Sequence, residues 1–454
     1  MKLKKDNIVR GAAIVGVSTF ISKLLGAIYR VPLTNLIGAF GLGLYQMVFP
    51  VYALLLDFAG AGVPSATSKL ISSLNEDEKS LRAKEYLNSS IRLLAIFGIF
   101  FSVALILTGK GIATLQGSPK AHFAYIALAP SVFLVSIISC FRGYFQGQMN
   151  MTPTAVSQII EQIVKLVFGL ILSYLLMPNV VLAVAGTTLA ISFSELFALL
   201  YLVIEYKRKN KYQKIKYSFD KIRFKSQAKE ILKTTIPITL IGIAIPFSQV
   251  IDSFLTVNLL NSYRTDATAL YGLLTGVAST IINLPVSICY GVAMVAIPSV
   301  ASEKSVNGKN NRAKKSVFLT FAVALPCAFV IAVFAPQIIR ILFGRLSGIE
   351  RVTAINLLRI TAPNVIFLSL LQTTNAVLIG KGKLYTPLIS MSIGILIKTI
   401  LNIILLKIPE LNVYGGATAL IACYFFACLI NLILIFRKQV KNESKSTCRR
   451  QYAG

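Results

Sequence analysis

Eight ionisable side chains stand where charge is expensive to keep. Lys23, Arg30, Lys165 and Lys398, and the acids Asp57, Glu161, Glu195 and Asp252, interrupt stretches otherwise made of apolar residues. A charge held at membrane depth usually faces a partner or a water-filled cavity, so each marks a candidate site. Lysine and arginine in a low dielectric favour an anion, and the guanidinium fork matches phosphate geometry. Arg359, toward the far end of a later apolar stretch, completes the cationic set. Helical rise puts Lys23 about 20 Å beyond Arg10 and Arg30 about 30 Å beyond it, where reaching to the far headgroups competes with facing a cavity. Glu161 and Lys165 are four apart and are expected to neutralise each other. Lys398 has Gly394 at that position and so lacks a local partner. Asp57 and Asp252 are read either as partners of these lysines or as ligands of a coupling cation. Glu195 reads as a structural hydrogen-bonding residue, and Gln249, Asn283, Asn364 and Gln372 are polar enough to line a cavity or to link spans.

The elements that must carry these residues follow from composition. The chain is 55% apolar and only 14% charged, which excludes a soluble protein of 454 residues and indicates a polytopic membrane protein. Its net charge of +29 lies in short segments between apolar runs, so it speaks for membrane orientation and not for nucleic-acid binding. Twelve helical spans are expected, near 10–31, 44–62, 89–109, 121–141, 154–177, 181–205, 233–258, 268–297, 316–340, 355–379, 385–407 and 413–437. With the N-terminus inside, 34 lysines and arginines fall on the cytoplasmic side against nine opposite, so both termini are expected in the cytoplasm. The first span carries Lys23 and Arg30 and no cleavage pattern, and reads as retained. Six cysteines show no metal-ligand spacing, and His122 is the single histidine. The one acidic cluster, Glu76-Asp77-Glu78, reads as a solvated loop and leaves no visible nucleophile–base pair, so no enzyme activity is expected.

A basic hinge divides the chain. Tyr206 to Lys233 holds eleven basic residues against Asp220 and Glu230, and the run after it repeats the run before it. Ala129-Pro130 recurs as Ala362-Pro363, Lys165 as Lys398, Pro178 as Pro409, and Gly186-Thr187-Thr188 as Gly416-Ala417-Thr418. Six spans return the chain to its starting side, so the copies are expected to be parallel, with a site between them near mid-membrane. The expected organisation is a six-helix lobe at 1–205, a cytoplasmic linker at 206–232, a second six-helix lobe at 233–437 and a basic tail at 438–454.

Residues 20–72, FISKLLGAIYRVPLTNLIGAFGLGLYQMVFPVYALLLDFAGAGVPSATSKLIS, and 142–162, RGYFQGQMNMTPTAVSQIIEQ, resemble polysaccharide exporters of the stage V sporulation protein B type. These belong to the multidrug/oligosaccharidyl-lipid/polysaccharide exporter superfamily, alongside the MurJ-type lipid II flippases. The resemblance implies a V-shaped, all-α, two-lobed bundle in the bacterial plasma membrane that moves undecaprenyl-diphosphate-linked sugars to the outer leaflet. It implies further that basic residues of the first span, here Lys23 and Arg30, hold the diphosphate. Many relatives nearest the lipid II flippases carry two additional C-terminal spans, which this sequence lacks after its twelfth. The expected partners are a lipid-linked glycan and membrane lipids, with a monomeric chain. No cofactor is implied, and Na+, H+ or the membrane potential are the coupling sources considered. A cation-coupled multidrug antiporter of the same superfamily is the alternative, for which Asp57 and Glu161 are the candidate carboxylates.

Overall fold

Apolar runs of this length can cross lipid only as helices, because hydrocarbon offers no partner for a free backbone N–H or C=O. The computed structural model describes residues 2–74, 76–209, 221–303, 305–383 and 385–436, and no strand occurs among them. The expected linker centre, 210–220, and the tail, 438–454, lie outside the described residues. The helices in the first half are α1 (Lys2–Leu56), α2 (Val63–Ser72), α3 (Glu76–Leu115), α4 (His122–Gly147), α5 (Thr152–Leu176) and α6 (Val180–Lys209). Those that follow are α7 (Lys221–Gly242), α8 (Ala244–Asn261), α9 (Ala267–Gly272), α10 (Ser279–Ala301), α11 (Val306–Val333) and α12 (Ala335–Leu342). The chain closes with α13 (Gly348–Thr361), α14 (Asn364–Gly380), α15 (Thr386–Leu405) and α16 (Val413–Phe436).

The span count differs from the twelve expected. Nine helices among the described residues are long and apolar enough to cross a membrane, or ten when α13 and α14 are taken as one bent span. Three local features account for the difference. The segment 32–43, expected as a loop, is helical on both sides of Gly38, whose left-handed backbone (φ 71°) breaks α1. Arg30 and Tyr45, before and after that break, line one cavity, so the chain folds back there. The expected seventh span, 233–258, is divided at Ile243 between α7 and α8, and neither part alone meets the test. The tenth bends by 44° around Ala362-Pro363, where proline removes a backbone donor and crowds the preceding turn. Its repeat partner Pro130 sits inside an uninterrupted α4. Each second span of the repeat does keep one shared irregularity, a π-helical segment at Asp57–Ala61 and again at Leu273–Ala278.

Large apolar side chains face outward in lipid instead of inward: Leu107, Phe318 and Tyr174 are all strongly exposed on α3, α11 and α5. Inside, α3, α4, α5 and α6 pack on one another, and α10, α11, α14, α15 and α16 form a second packed group. α1 touches both, packing on α5 and α6 as well as on α8, α9 and α10. The approach is closest where Gly43 meets α9. A Cβ on Gly43 would fall 1.9 Å from the Thr268 carbonyl oxygen, and one on Gly272 would fall 2.5 Å from the Ala39 oxygen. Polar links gather at the same end. Asn35 Nδ2 donates to the Leu342 carbonyl (2.7 Å), Gln116 Nε2 to Ser253 Oγ (2.9 Å), and Asn258 and Asn261 to the carbonyls of Leu115 (2.7 Å) and Gly117 (2.9 Å). In the loop before α9, Arg264 forks onto both oxygens of Asp266 (2.9 and 2.8 Å), which holds that carboxyl below the usual carboxylate range. At the opposite end α7 docks on α3, with Tyr86 Oη donating to Glu230 (2.6 Å) and Ser89 Oγ to Gln227 Oε1 (2.6 Å). The basic segment is therefore helical from Lys221 onward and docks on α3 through Gln227 and Glu230.

A central cationic cavity as the candidate functional site

Two turns of helix separate Lys23 from Arg30, about 10 Å of rise, which puts both on one face of α1. That face borders a cavity of about 470 Å3. α5 presents Gln158, Glu161, Gln162 and Lys165 to it, a helical spacing of three and four. α4 adds Arg142, α10 adds Asn283 and Ser287, and α14 adds Gln372. A second cavity of about 340 Å3 adjoins the first and shares Arg30, Phe49 and Asn283 with it. Gln46, Ser248, Gln249, Asp252, Tyr271, Lys398 and Tyr424 are among the residues that line this one.

Charge is distributed unequally between the two. In the first cavity Glu161 is held by Arg142, at 3.1 Å, and the same guanidinium donates from Nε to Ser157 Oγ (3.1 Å). Arg142 thus takes the carboxylate that the spacing assigned to Lys165. Among the described residues, Lys23, Arg30 and Lys165 have no carboxylate within ion-pairing distance. Lys23 lies 4.1 Å from the ring centre of Tyr290, and Arg30 Nη1 donates to Thr280 Oγ1 at 3.4 Å. Ser22 Oγ and Gln372 Oε1, both bordering this cavity, are buried without a hydrogen-bond partner. Three cations without a carboxylate pair around one space make a surface chemically suited to an anion.

In the second cavity Lys398 and Asp252 cancel each other, and the shared Arg30 is the unpaired charge among its lining residues. Lys398, 5% exposed, makes an ion pair with Asp252 and also donates to Ser248 Oγ at 3.0 Å. Asn402 Nδ2 donates to the other Asp252 oxygen at 3.2 Å. Of the two readings open for Asp252 the structure shows the lysine pair. Lys398 does gain a partner, one 146 residues away and invisible to local spacing.

The remaining candidates lie elsewhere. Asp57 sits in the π-helical turn after α1 beside Gly242, away from both lysines and from both cavities. Arg359 is exposed on α13 and lines neither cavity, because the bend at Pro363 separates that helix from the face that α14 turns inward. Glu195, 2% exposed, accepts a 2.5 Å hydrogen bond from Tyr52, the hydrogen-bonding role that its position suggested. Gln249, Asn283 and Gln372 line the cavities, whereas Asn364 is buried away from them. Arg142, one residue beyond the expected span 121–141, stands inside α4. Its apolar flanks Cys140-Phe141 and Tyr144-Phe145 were the signal that it stands inside the bundle. No group of three or more potential metal ligands occurs among the described residues.

A helical bundle crossing the membrane around a charged central cavity is the architecture of a membrane transporter. Residues 8–304 match the polysaccharide biosynthesis protein family, and the chain belongs to that family. Residues 237–404 also match the MatE family. Stage V sporulation protein B of Bacillus subtilis (strain 168) is 26% identical over 438 residues, which cover 94% of this chain and 83% of that protein. Lipid II flippase MurJ of the same organism is 26% identical over 457 residues, covering 95% and 83%. Among solved structures, the inward-facing conformation of a multidrug resistance MATE family transporter of the MOP superfamily has a TM-score of 0.74 at 15% identity, covering 97% of this chain and 100% of that one. The inward closed conformation of Lipid II flippase MurJ has a TM-score of 0.73 at 18% identity, covering 93% and 87%. Both confirm the all-helical transporter fold.

Proposed function

We propose that this protein is a flippase for a lipid-linked glycan of the bacterial plasma membrane, carrying the diphosphate head group through its central cavity by alternating access. One observation carries the reading: Lys23, Arg30 and Lys165 surround a single cavity with no carboxylate paired to any of them. Such a site replaces water around a diphosphate, while the polyprenyl chain stays in lipid. Family membership and the two curated relatives support the same substrate class. With the N-terminus in the cytoplasm, the hydrogen-bonded end at Gln116, Asn258 and Asn261 faces outward. The cavity then loads from within, past Lys23, which is more exposed than Arg30.

Charged hydrogen bonds contribute about 1.5–3 kcal/mol each, roughly 10- to 150-fold in binding. Replacing both Lys23 and Arg30 by Ala is therefore expected to abolish transfer of an undecaprenyl-diphosphate-linked sugar in reconstituted vesicles. Wild-type rates from the double variant would refute the reading. The MatE match keeps a multidrug antiporter as the second reading. In that case the wild type itself moves a drug in such vesicles and leaves the lipid-linked sugar where it is.

A further inference from the structure

One turn of the repeat carries charge that its counterpart lacks. The chain turns between α4 and α5, and again between α14 and α15, through the same backbone conformation: Met149 and Gly382 are both left-handed (φ 59° and 83°). Each turn is closed by an equivalent bond, from Asn150 N–H to the Phe145 carbonyl (3.0 Å) and from Lys383 N–H to the Leu378 carbonyl (2.9 Å). Gln148 and Asn150 of the first copy stand where the second has Lys381 and Lys383. The turn forms equally well without the lysines, so their charge needs another explanation.

Lys381 has a structural use. Its ammonium donates to the Ile435 carbonyl at the end of α16 (2.9 Å) and to Asn310 Oδ1 on α11 (2.6 Å). The second bond brings it beside Lys309. Burial, and then the ammonium groups of Lys383 and Lys309, push Lys381 below the usual lysine range. Among the described residues none of the three has a carboxylate within ion-pairing distance, and the neighbouring acid, Glu303, is held by Arg312 at 3.0 Å. Like charges gathered in this way disfavour their own ionisation, and an anion between them removes that cost. Tyr385, two residues beyond Lys383, and Val306, at the start of α11, are both strongly exposed. An exposed tyrosine beside lysines at the end of a span marks the depth of the lipid headgroups. With the N-terminus in the cytoplasm, this corner meets the inner leaflet, whose surface is negative.

We propose that Lys309 and Lys383, with Lys381 beside them, form a binding site for the phosphate headgroup of an acidic phospholipid. The site is independent of what the central cavity carries. A soluble phosphate compound offers the same charge, but exposed Tyr385 and Val306 favour a ligand that brings acyl chains with it.

The test counts lipids on the purified full-length protein by native mass spectrometry, with phosphatidylglycerol and phosphatidylcholine as probes. Wild type is expected to bind its first phosphatidylglycerol about tenfold more tightly than phosphatidylcholine, the effect of one charged hydrogen bond. Lys309→Gln with Lys383→Gln is expected to erase that preference. Phosphatidylcholine should bind this variant as before, which also reports that it is folded. The control, Lys314→Gln with Lys315→Gln, removes the same charge from positions about 140° and 240° around α11 from Lys309, and should keep the preference. Equal binding of the two lipids by wild type, or a control that loses as much as the test pair, would overturn the site. Displacement of phosphatidylglycerol by an equal concentration of soluble glycerol phosphate would overturn the headgroup assignment.

Discussion

Lys398 and Asp252 show what an ion pair deep in a bundle does for its neighbours. Each alone would be an uncompensated charge in a low dielectric, and together they leave a neutral, hydrogen-bonded wall. The pair is expected to stabilise mainly through the penalty for breaking it. Asp252→Asn leaves the ammonium without its counter-charge and should destabilise the protein by about 3–5 kcal/mol. Replacing both residues, as Lys398→Met with Asp252→Leu, should recover most of that loss, since an apolar pair of similar volume carries no such penalty. Thermal unfolding in detergent separates the outcomes. A single variant that melts with the wild type would show that the charge is not held as described. The Arg142–Glu161 pair works at the same scale in the other half. By engaging Glu161 it leaves Lys165 without a carboxylate pair. One carboxylate partner differs between the repeats, and with it the charge of each half of the cavity.

Among the elements, the end of the bundle at which α1 folds back is held by amides on carbonyls and by glycine at close range. Gln116, Asn258 and Asn261 tie α3 and the turn after it to α8, and Gly43 lets α1 lie against α9. These bonds must break if the cavity is to open on that side. Asn258→Ala combined with Asn261→Ala removes two of them, about 0.5–1.5 kcal/mol each, and so shifts the balance toward opening by roughly 5- to 150-fold. A cysteine at position 279, placed as Ser279→Cys in a background without other cysteines, should then react faster with an impermeant maleimide added outside. Unchanged labelling would show that this end is not the gate. Much of this architecture was legible in the sequence: apolar runs give the helices, and charges within them, Lys23 and Arg30 above all, mark the cavity. The pairing was not legible. Spacing on one helix offered Lys165 to Glu161, but a guanidinium one loop away has the better geometry. Nothing local could join Asp252 to a residue 146 positions on. The reversal at Gly38 was hidden because a single glycine does the work of a loop, and Arg359 was misplaced because its helix bends at Pro363.

For the whole molecule the decisive quantity is charge moved across the membrane. A diphosphate carries roughly two negative charges outward, and an inside-negative potential favours that transfer by about 2.3 kcal/mol per charge per 100 mV. At 100 mV the sum is about 4.6 kcal/mol, more than three orders of magnitude in the ratio between leaflets. Under the proposed flippase reading, the potential would act on the cargo itself. Lys23, Arg30 and Lys165 belong to the bundle and stay with it after release, so each cycle moves the substrate's charge and returns the empty site. The acid best placed to bind a coupling cation in the second half, Asp252, is already occupied by Lys398. The membrane potential alone is therefore expected to drive export. In vesicles without sodium or pH gradients, a potassium diffusion potential set by valinomycin should accelerate transfer of the glycosylated lipid, and reversing its sign should slow it. Transfer indifferent to the potential, yet restored by a sodium or proton gradient, would mean that another group takes up the coupling ion. Asp57, set apart in its π-helical turn, would be the first residue to replace.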